Sequence, residues 1–377
     1  MLAGAGHAQL DLLAALSRCR LSDCDVTLIT SQAAFHYSGI LPAVIAGVVG
    51  PGAAQIPVAD IARAAGIRVL ETPIIALDVG AQQLTLSDGA RVTYNLLSLD
   101  IGSSTAGLSL PGVDAHAFAM RPFSAALGLI SKLDAAINAS APGAIIPSVV
   151  VGGGAAGFEI ACAVRARILA ASRAPRVTII DASARDGLPL AGFADATRRL
   201  AARALSSRGI AVVEGSVTAV HADAVTLTDA SVTRDIASAA TAWVPGPAAH
   251  PWLAISGLAC DDRGYPLASP TLALDAANTV FGGGDCITLR DATETPKAGV
   301  FAVRMAPVLA ANVLAVARGE SPAATYAPQR NFLALLSTGD GRALLRWRGV
   351  SHESRSAQRL KTWIDERYLT RYRVLAR

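Results

Sequence analysis

Two glycine-rich turns 148 residues apart, each followed by the same kind of tail, constrain this chain more than any other feature. The first is Gly4-Ala5-Gly6 and the second is Gly152-Gly153-Gly154-Ala155-Ala156-Gly157. After the first come Gly66-Ile-Arg-Val-Leu-Glu71 and Leu84-Thr-Leu-Ser-Asp-Gly89; after the second come Gly209-Ile-Ala-Val-Val-Glu214 and Val225-Thr-Leu-Thr-Asp-Ala230. The tails are offset by 143 and 141 residues, which fits one ancestral unit copied with small deletions. A repeat this long is a domain-sized unit.

In a Gly-x-Gly-x-x-Gly turn the first glycine makes the bend and the second lets a pyrophosphate approach the backbone. The third lets helix and strand pack closely. The helix N-terminus then stabilises the phosphate charge. One such turn is weak evidence; two inside a duplication predict two dinucleotide sites. The second copy has Gly152, Gly154 and Gly157, and its next strand ends in Asp181, 24 residues past the last glycine. A carboxylate there accepts both ribose hydroxyls and repels a 2′-phosphate, which favours NADH over NADPH. The alternative is a solvated strand-end aspartate. In the first copy the third glycine position is Gln9, and the corresponding strand ends at Thr30-Ser31 without a carboxylate.

A chain of 377 residues, 52% apolar and 16% charged, has material for two or three buried cores. The apolar stretch Ile40–Val49 is short, and residues 300–317 contain Arg304, Pro307 and Asn312, so no segment reads as a membrane span. The N-terminus lacks a basic leader and carries Asp11, which reads as a first nucleotide turn and not as a signal peptide. Only Met1, Leu2 and Ala3 precede Gly4, which suggests a start assigned too late, a shortened chain or a weak central strand. Five cysteines over this length suit a reducing, cytoplasmic setting. Cys19 and Cys24 have redox-disulfide spacing but precede the second strand, where packing or surface roles are the stronger reading. Histidines show no metal-ligand spacing, and no nucleophile elbow occurs.

Alternating strands and helices predict an α/β chain of two Rossmann-like domains, each with a β-meander, plus a small C-terminal region. The expected division is 1–115 for the first domain, 116–250 for the second, 251–325 returning to complete the first, and 326–377 for the C-terminal region. The return segment contains Phe281-Gly-Gly-Gly-Asp285-Cys286 and a helix from about Ala298 to Ala317. Residues 342–377 hold ten Arg/Lys against three Asp/Glu. Leu360, Trp363, Ile364, Tyr368, Tyr372 and Leu375 recur at helical spacing there, predicting an amphipathic basic helix. Its readings are intramolecular packing, or a membrane or partner surface; no nucleic-acid motif accompanies the charge.

Gly4-Ala-Gly-His7, Tyr37-Ser-Gly-Ile-Leu-Pro42, Leu99-Asp-Ile-Gly102, the second turn through Glu159, Gly284-Asp285 and Pro296-Lys-Ala-Gly-Val-Phe301 follow in one order. This order resembles the two-dinucleotide flavoproteins, the pyridine nucleotide-disulfide oxidoreductases. Within them it is most similar to the type II NADH dehydrogenase-like branch, including the flavoprotein domain fused to selenide water dikinase.

The resemblance implies FAD on the first copy and NADH on the second, with hydride passing to the flavin and then two electrons to a quinone-like or other small acceptor. It implies that Gly4 and Gly6 face the FAD pyrophosphate, with His7 and Gly102 nearby and Gly284-Asp285 at the ribityl and phosphate region. Ala298, Gly299 and Val300 would open a helix toward the flavin N1/C2 oxygen side, where Lys297 adds charge unless it is simply a solvated helix-start lysine. Glu159 matches a glutamate beside the nicotinamide pocket, or is a first-turn helix carboxylate. Tyr37 and Pro42 lie where disulfide reductases carry cysteines; none occurs here, so direct electron transfer is implied. At Trp243-Val-Pro-Gly246, Pro245 replaces the family's threonine before Gly246. Further implications are a cytoplasmic protein with peripheral contact at the inner membrane face through the tail, and a homodimer as an open option. Competing readings are a sulfide:quinone reductase, which needs cysteines at the flavin, and a flavin redox sensor linked to selenium metabolism.

Overall fold

The computed structural model describes residues 1–376 except Arg20, Ser22, Ala230 and Ser231. Two five-stranded sheets share the order of four strands, and differ in where the fifth, outer strand comes from in the chain. The first runs Val280–Gly282, Leu97–Leu99, Leu2–Ala3, Thr27–Thr30, Arg68–Glu71. The second runs Ala117–Ala119, Ala240–Trp243, Ile145–Val151, Ala174–Asp181, Ala211–Glu214. All neighbouring pairs are parallel. Parallel sheets are covered on both faces, which is why Val149, Val150 and Val151 are all buried although their side chains alternate. In each sheet the strand feeding the glycine turn is central. The outer strand of the first sheet comes from residues after the second copy. The next helix, Gly299–Ala317, packs against helix Leu10–Arg18.

The meanders repeat as well: Ile74–Asp78, Gln83–Leu86 and Arg91–Thr93 match Ser216–Val220, Ala224–Asp229 and Val232–Ala237. Both have a register irregularity in their first strand pair. Ala230, the expected end of the second tail, lies outside the described residues. A third sheet, Ala334–Ser337, Ala343–Trp347 and Val350–Ser354, is antiparallel and leads into helix Arg355–Arg373. Ser354 caps that helix by accepting the Ala357 N–H at 3.0 Å.

Three expectations change. Helix Gly299–Ala317 is long and apolar enough to cross a membrane by length and composition. It buries Phe301, Met305, Leu309 and Val313 in the first core, and Asn312 is 1% exposed. Asn312 donates to the Thr271 and Ala324 carbonyls and accepts the Ala324 N–H, so the return segment is tied by satisfied polar contacts. Second, the first-copy helix does not open at its glycine turn. It starts at Leu10, four residues past Gly6, whereas the second-copy helix starts at Ala155, directly after Gly154.

Third, the C-terminal helix turns only part of the apolar stripe read in the sequence inward: Tyr372 is buried and Tyr368 and Leu375 pack on the first core, but the rest of the inner face is made by other residues. Its buried positions are Ala357, Lys361, Asp365, Leu369 and Tyr372, while Leu360 and Trp363 are 37% and 57% exposed. Lys361 and Asp365 pair with each other at 3.0 Å and with groups across the interface, which lets them sit inside.

Candidate functional site

The second turn is built as its glycines require. A Cβ on Gly152, whose φ is +110°, would lie 2.1 Å from the Val244 carbonyl oxygen, and one on Gly157 would lie 1.8 Å from the Gly152 carbonyl oxygen. Nothing lies within 4 Å of a Cβ on Gly154, so the N-terminus of helix Ala155–Ala170 is open at that glycine. Asp181 closes the floor. It is 5% exposed, its Oδ1 accepts from Ser183 N and Oγ, and its Oδ2 has no hydrogen-bond partner among the described residues. Gly246 adopts φ +137° with open space around it. An open helix terminus beside an unsatisfied buried carboxylate oxygen can take an anion and a hydroxyl-bearing group together.

The first turn differs in its interior. Gly4 again needs its positive φ of +87°, since a Cβ would lie 2.2 Å from the Asp100 carbonyl oxygen. At Gly6, however, a Cβ would lie 2.5 Å from the Asp100 Oδ1, and at Gly284 one would lie 2.6 Å from the same oxygen. The Asp100 carboxylate therefore sits between the turn and the Gly284-Asp285 loop. Its Oδ2 accepts the Gln9 N–H at 2.8 Å, with Ala8 N–H beside it. Gln9, in place of a third glycine, donates to the Gly4 carbonyl at 2.6 Å and accepts from Ser98 Oγ at 2.6 Å. A side-chain bridge replaces the close backbone approach seen at Gly157. Gly102 stands in open space at φ +68°.

His7 is half-buried and packs against Phe35, Tyr37 and Tyr368, and its Nδ1 shares a 2.6 Å hydrogen bond with the Tyr368 hydroxyl. Burial, aided by Arg121, pushes its pKa down to about 3, so it is neutral. A Cβ on Gly299 would lie 3.2 Å from His7 Nε2, which brings the Ala298, Gly299 and Val300 helix start onto the first turn. Asp285 pairs with Arg121 at 3.0 Å. Arg121 also donates to Ser103 Oγ at 2.7 Å.

Lys297 turns away from the helix start. Its Nζ bonds the Ile287 carbonyl and, at 2.8 Å, the Thr288 hydroxyl, and it stands 4.2 Å from the Tyr265 ring centroid. Burial pulls its pKa down to about 8. Glu159 is the fifth residue of the second-copy helix, one turn past its start and so not a first-turn carboxylate; it accepts the Ser337 N–H at 2.8 Å and lies 3.9 Å from Lys361 Nζ. Burial raises its pKa against the pull of Lys361. Lys361 also donates to the Gly39 carbonyl at 2.8 Å, and the Tyr37 hydroxyl donates to Asp365 Oδ1 at 2.8 Å. The C-terminal helix thus pins both copies, through Glu159 on one side and Tyr37–Gly39 on the other. Pro42 is buried in the helix Leu41–Ile45 that follows.

Asp100, Arg121, Lys361 and Asp365 come to this region of the fold without having been selected from the sequence, while Gln9 was read there only as the replaced third glycine and Tyr368 only as part of the helical stripe. Two left a signal: Asp100 is an acid ending the apolar strand Leu97-Ser-Leu99, and Lys361 is one of three lysines against thirty arginines. No disulfide links the described cysteines, and among the described residues no group of three or more His, Cys, Asp or Glu is placed to hold a metal.

Residues 1–306 match the family model described as pyridine nucleotide-disulphide oxidoreductase. Two NADH dehydrogenase-like proteins of Mycobacterium tuberculosis are 28% identical over 244 residues, which is 63% of this chain and 60% of their own length. The fold is similar to that of the sulfide:quinone oxidoreductase of Aquifex aeolicus, with TM-score 0.80 and 18% identity over 99% of this chain and 91% of that one. It is also similar to that of NDH2 from Plasmodium falciparum solved with NADH, with TM-score 0.75 and 14% identity over 100% of this chain and 96% of that one. With its duplicated glycine turns and the match over residues 1–306, the chain belongs to the pyridine nucleotide-disulphide oxidoreductase family.

Proposed function

We propose that this protein is an FAD-dependent NADH oxidoreductase that passes two electrons from NADH, through flavin on the first copy, to a small quinone-like acceptor. The observation that carries the reading is Asp181 Oδ2, buried and unpartnered beside the open Gly154 turn. That oxygen suits a ribose hydroxyl and opposes a 2′-phosphate. The first copy supports a second dinucleotide: Gly4, Gly6 and Gly284 all close on Asp100, Gly4 at its carbonyl and the other two at its Oδ1, so the turn and the Gly284-Asp285 loop meet where a Cβ on any of them would clash.

Bound FAD would supply the redox chemistry, which no side chain here supplies. The chain's residues bind and orient. Gly154 and the helix behind it hold a pyrophosphate, Asp181 holds the adenosine ribose, and Gly4, Gly6, Gly102 and Asp285 hold the flavin nucleotide. Glu159 and Lys361 hold the C-terminal helix over the junction of the copies. The division into 1–115 with 251–325, 116–250 and 326–377 is part of this proposal.

The thiols favour this reading over a sulfide:quinone reductase. Cys162 and Cys286 are buried, and burial pushes both up to about 12, so neither supplies a thiolate near neutral pH. On the outer face of the C-terminal helix, Leu360 and Trp363 are exposed beside Arg359 and Arg367, which supports docking at an anionic membrane surface where a quinone is reached.

The test is an anaerobic spectral titration of the FAD-loaded protein with each pyridine nucleotide. NADH should bleach the flavin quickly, and a quinone should restore it. A folded preparation that takes up no FAD, or one reduced faster by NADPH, overturns the reading. Asp181→Ala should weaken NADH binding by about tenfold to a hundredfold, the loss of charge-assisted hydrogen bonds, and narrow the gap to NADPH. Unchanged nucleotide preference would remove the role assigned to Asp181.

A further inference from the structure

The first glycine turn already contains a carboxyl group. Asp100 is 3% exposed, its Oδ2 takes the Gln9 N–H at 2.8 Å, and its Oδ1 fills the space that Gly6 and Gly284 leave by lacking a Cβ. Those N–H groups and that space are what a Gly-x-Gly turn offers to a pyrophosphate. At the equivalent point of the second copy stands Val244, and the space beside Gly154 is open. Each copy thus sets a carboxyl against its turn at a different point: Asp100 lies against Gly6 and Gly284 in the first, and Asp181 lies against Gly153 in the second, away from the open side at Gly154. An ionised Asp100 would add its charge to that of Asp285, leaving a pyrophosphate beside two carboxylates in a buried setting.

We propose that Asp100 is a proton-gated stand-in for the pyrophosphate, so that the first turn accepts FAD only with the Asp100 carboxyl protonated and flavin binding takes up one proton. The inference rests on the reading of the first copy as the FAD cradle. As a neutral acid, Asp100 can donate its O–H to a phosphate oxygen instead of opposing it.

The groups facing Asp100 are consistent with a proton held there near neutral pH. From the first turn come neutral His7 and the Gln9 N–H; from the loop after strand Val280–Gly282 come Asp285 and the un-ionised thiol of Cys286. From the C-terminal helix comes Tyr368, and Arg121 is turned onto Asp285. Burial, with Asp285 adding to it and the Gln9 N–H opposing it, pushes the Asp100 carboxyl up to about 8. A carboxyl raised from its unfolded value binds protons in the folded state that the unfolded chain has released. Its contribution to stability is therefore present at acid pH and is lost as pH rises toward about 8.

The test is FAD binding by the apoprotein, read by flavin fluorescence from pH 6 to 9.5. Titration calorimetry in two buffers of different ionisation enthalpy counts the protons. The wild type should bind with constant affinity below about pH 8 and lose about tenfold per pH unit above it, taking up about one proton per FAD at pH 9. Asp100→Asn keeps the shape and the acceptor for the Gln9 N–H; it should bind with a flat profile and no proton uptake. Asp100→Ala serves the same purpose if the asparagine variant does not fold. Lys297, pulled down to about 8, loses charge over the same range, so Lys297→Met should keep the slope if Asp100 is its source. Equal profiles for wild type and Asp100→Asn, or a slope that disappears only with Lys297→Met, overturn the inference while the FAD reading stands. No FAD uptake by any variant at any pH overturns both.

Discussion

Gly157→Ala will cost the second copy about 3 kcal/mol or more and weaken NADH binding roughly a hundredfold. The change adds one methyl group, yet its carbon would lie 1.8 Å from the Gly152 carbonyl oxygen, and the neighbour is backbone. Gly152 cannot retreat, because its own N–H is bonded to the Ile180 carbonyl at 2.7 Å and its Cα faces the Val244 carbonyl. The helix Ala155–Ala170 must move instead. That shifts the N–H groups at the turn, and it also disturbs Phe158, Ile160 and Ala161 in the second core. Chemical denaturation and a nucleotide-binding isotherm on the same preparation would check this. An alanine variant with wild-type stability and NADH affinity would mean that helix and strand do not approach as closely as the turn requires. The corresponding first-copy residue, Gln9, carries a long side chain because that helix begins later.

Lys361→Met will undock the C-terminal helix, at a cost of about 3–5 kcal/mol, the range for removing one partner of a buried ionic contact. The methionine keeps most of the packing volume. What it removes is the one ammonium between Asp365 at 3.0 Å and Glu159 at 3.9 Å, together with the bond to the Gly39 carbonyl. Asp365 retains the Tyr37 hydroxyl as a donor, and Glu159 retains the Ser337 N–H. Neither neutral donor replaces the cation. Faster hydrogen exchange and proteolysis confined to residues after about 326 would register the effect.

The pH dependence separates charge from packing. Glu159 already has a raised pKa through burial, and loss of Lys361 raises it further. A carboxyl with a raised folded-state pKa favours the folded form at acid pH, so the variant should recover stability as pH is lowered toward 5. In the wild type, Lys361 is itself held above its usual pKa by Glu159 and Asp365 despite burial. Its contribution is complete below the unfolded lysine value and is lost only as pH rises through the raised value. Adding Asp365→Leu to Lys361→Met should restore part of the loss. A single variant with unchanged exchange, or one with no recovery at acid pH, would show that packing alone holds the helix.

The duplication was legible because it is written in local rules. A tight turn needs glycine at Gly4 and Gly152 whatever surrounds it, and buried parallel strands need apolar runs such as Val149-Val-Val151. The strand ending in Asp181 and the helix starting at Gly299 follow from the same nearest-neighbour logic. Helix Arg355–Arg373 was found from its period, and Tyr368 and Tyr372 do face inward, but Leu360 and Trp363 do not. A hydropathy stripe treats Lys361 and Asp365 as solvent residues, while their buried partners lie on the segment 37–39 and at Glu159, far away in sequence.

By itself the sequence determined that there are two copies, where their turns bend and which strand ends in Asp181, since each depends on residues a few positions apart. Only the tertiary structure decided that Asp100 fills the first turn, that Arg121 faces Asp285, and that one buried lysine joins both copies to the C-terminal helix. Those contacts link residues about 90 to 320 positions apart. They exist because the sheet order brings the ends of parallel strands to one edge, and a charge buried there must be paired or neutralised by whatever the topology places beside it.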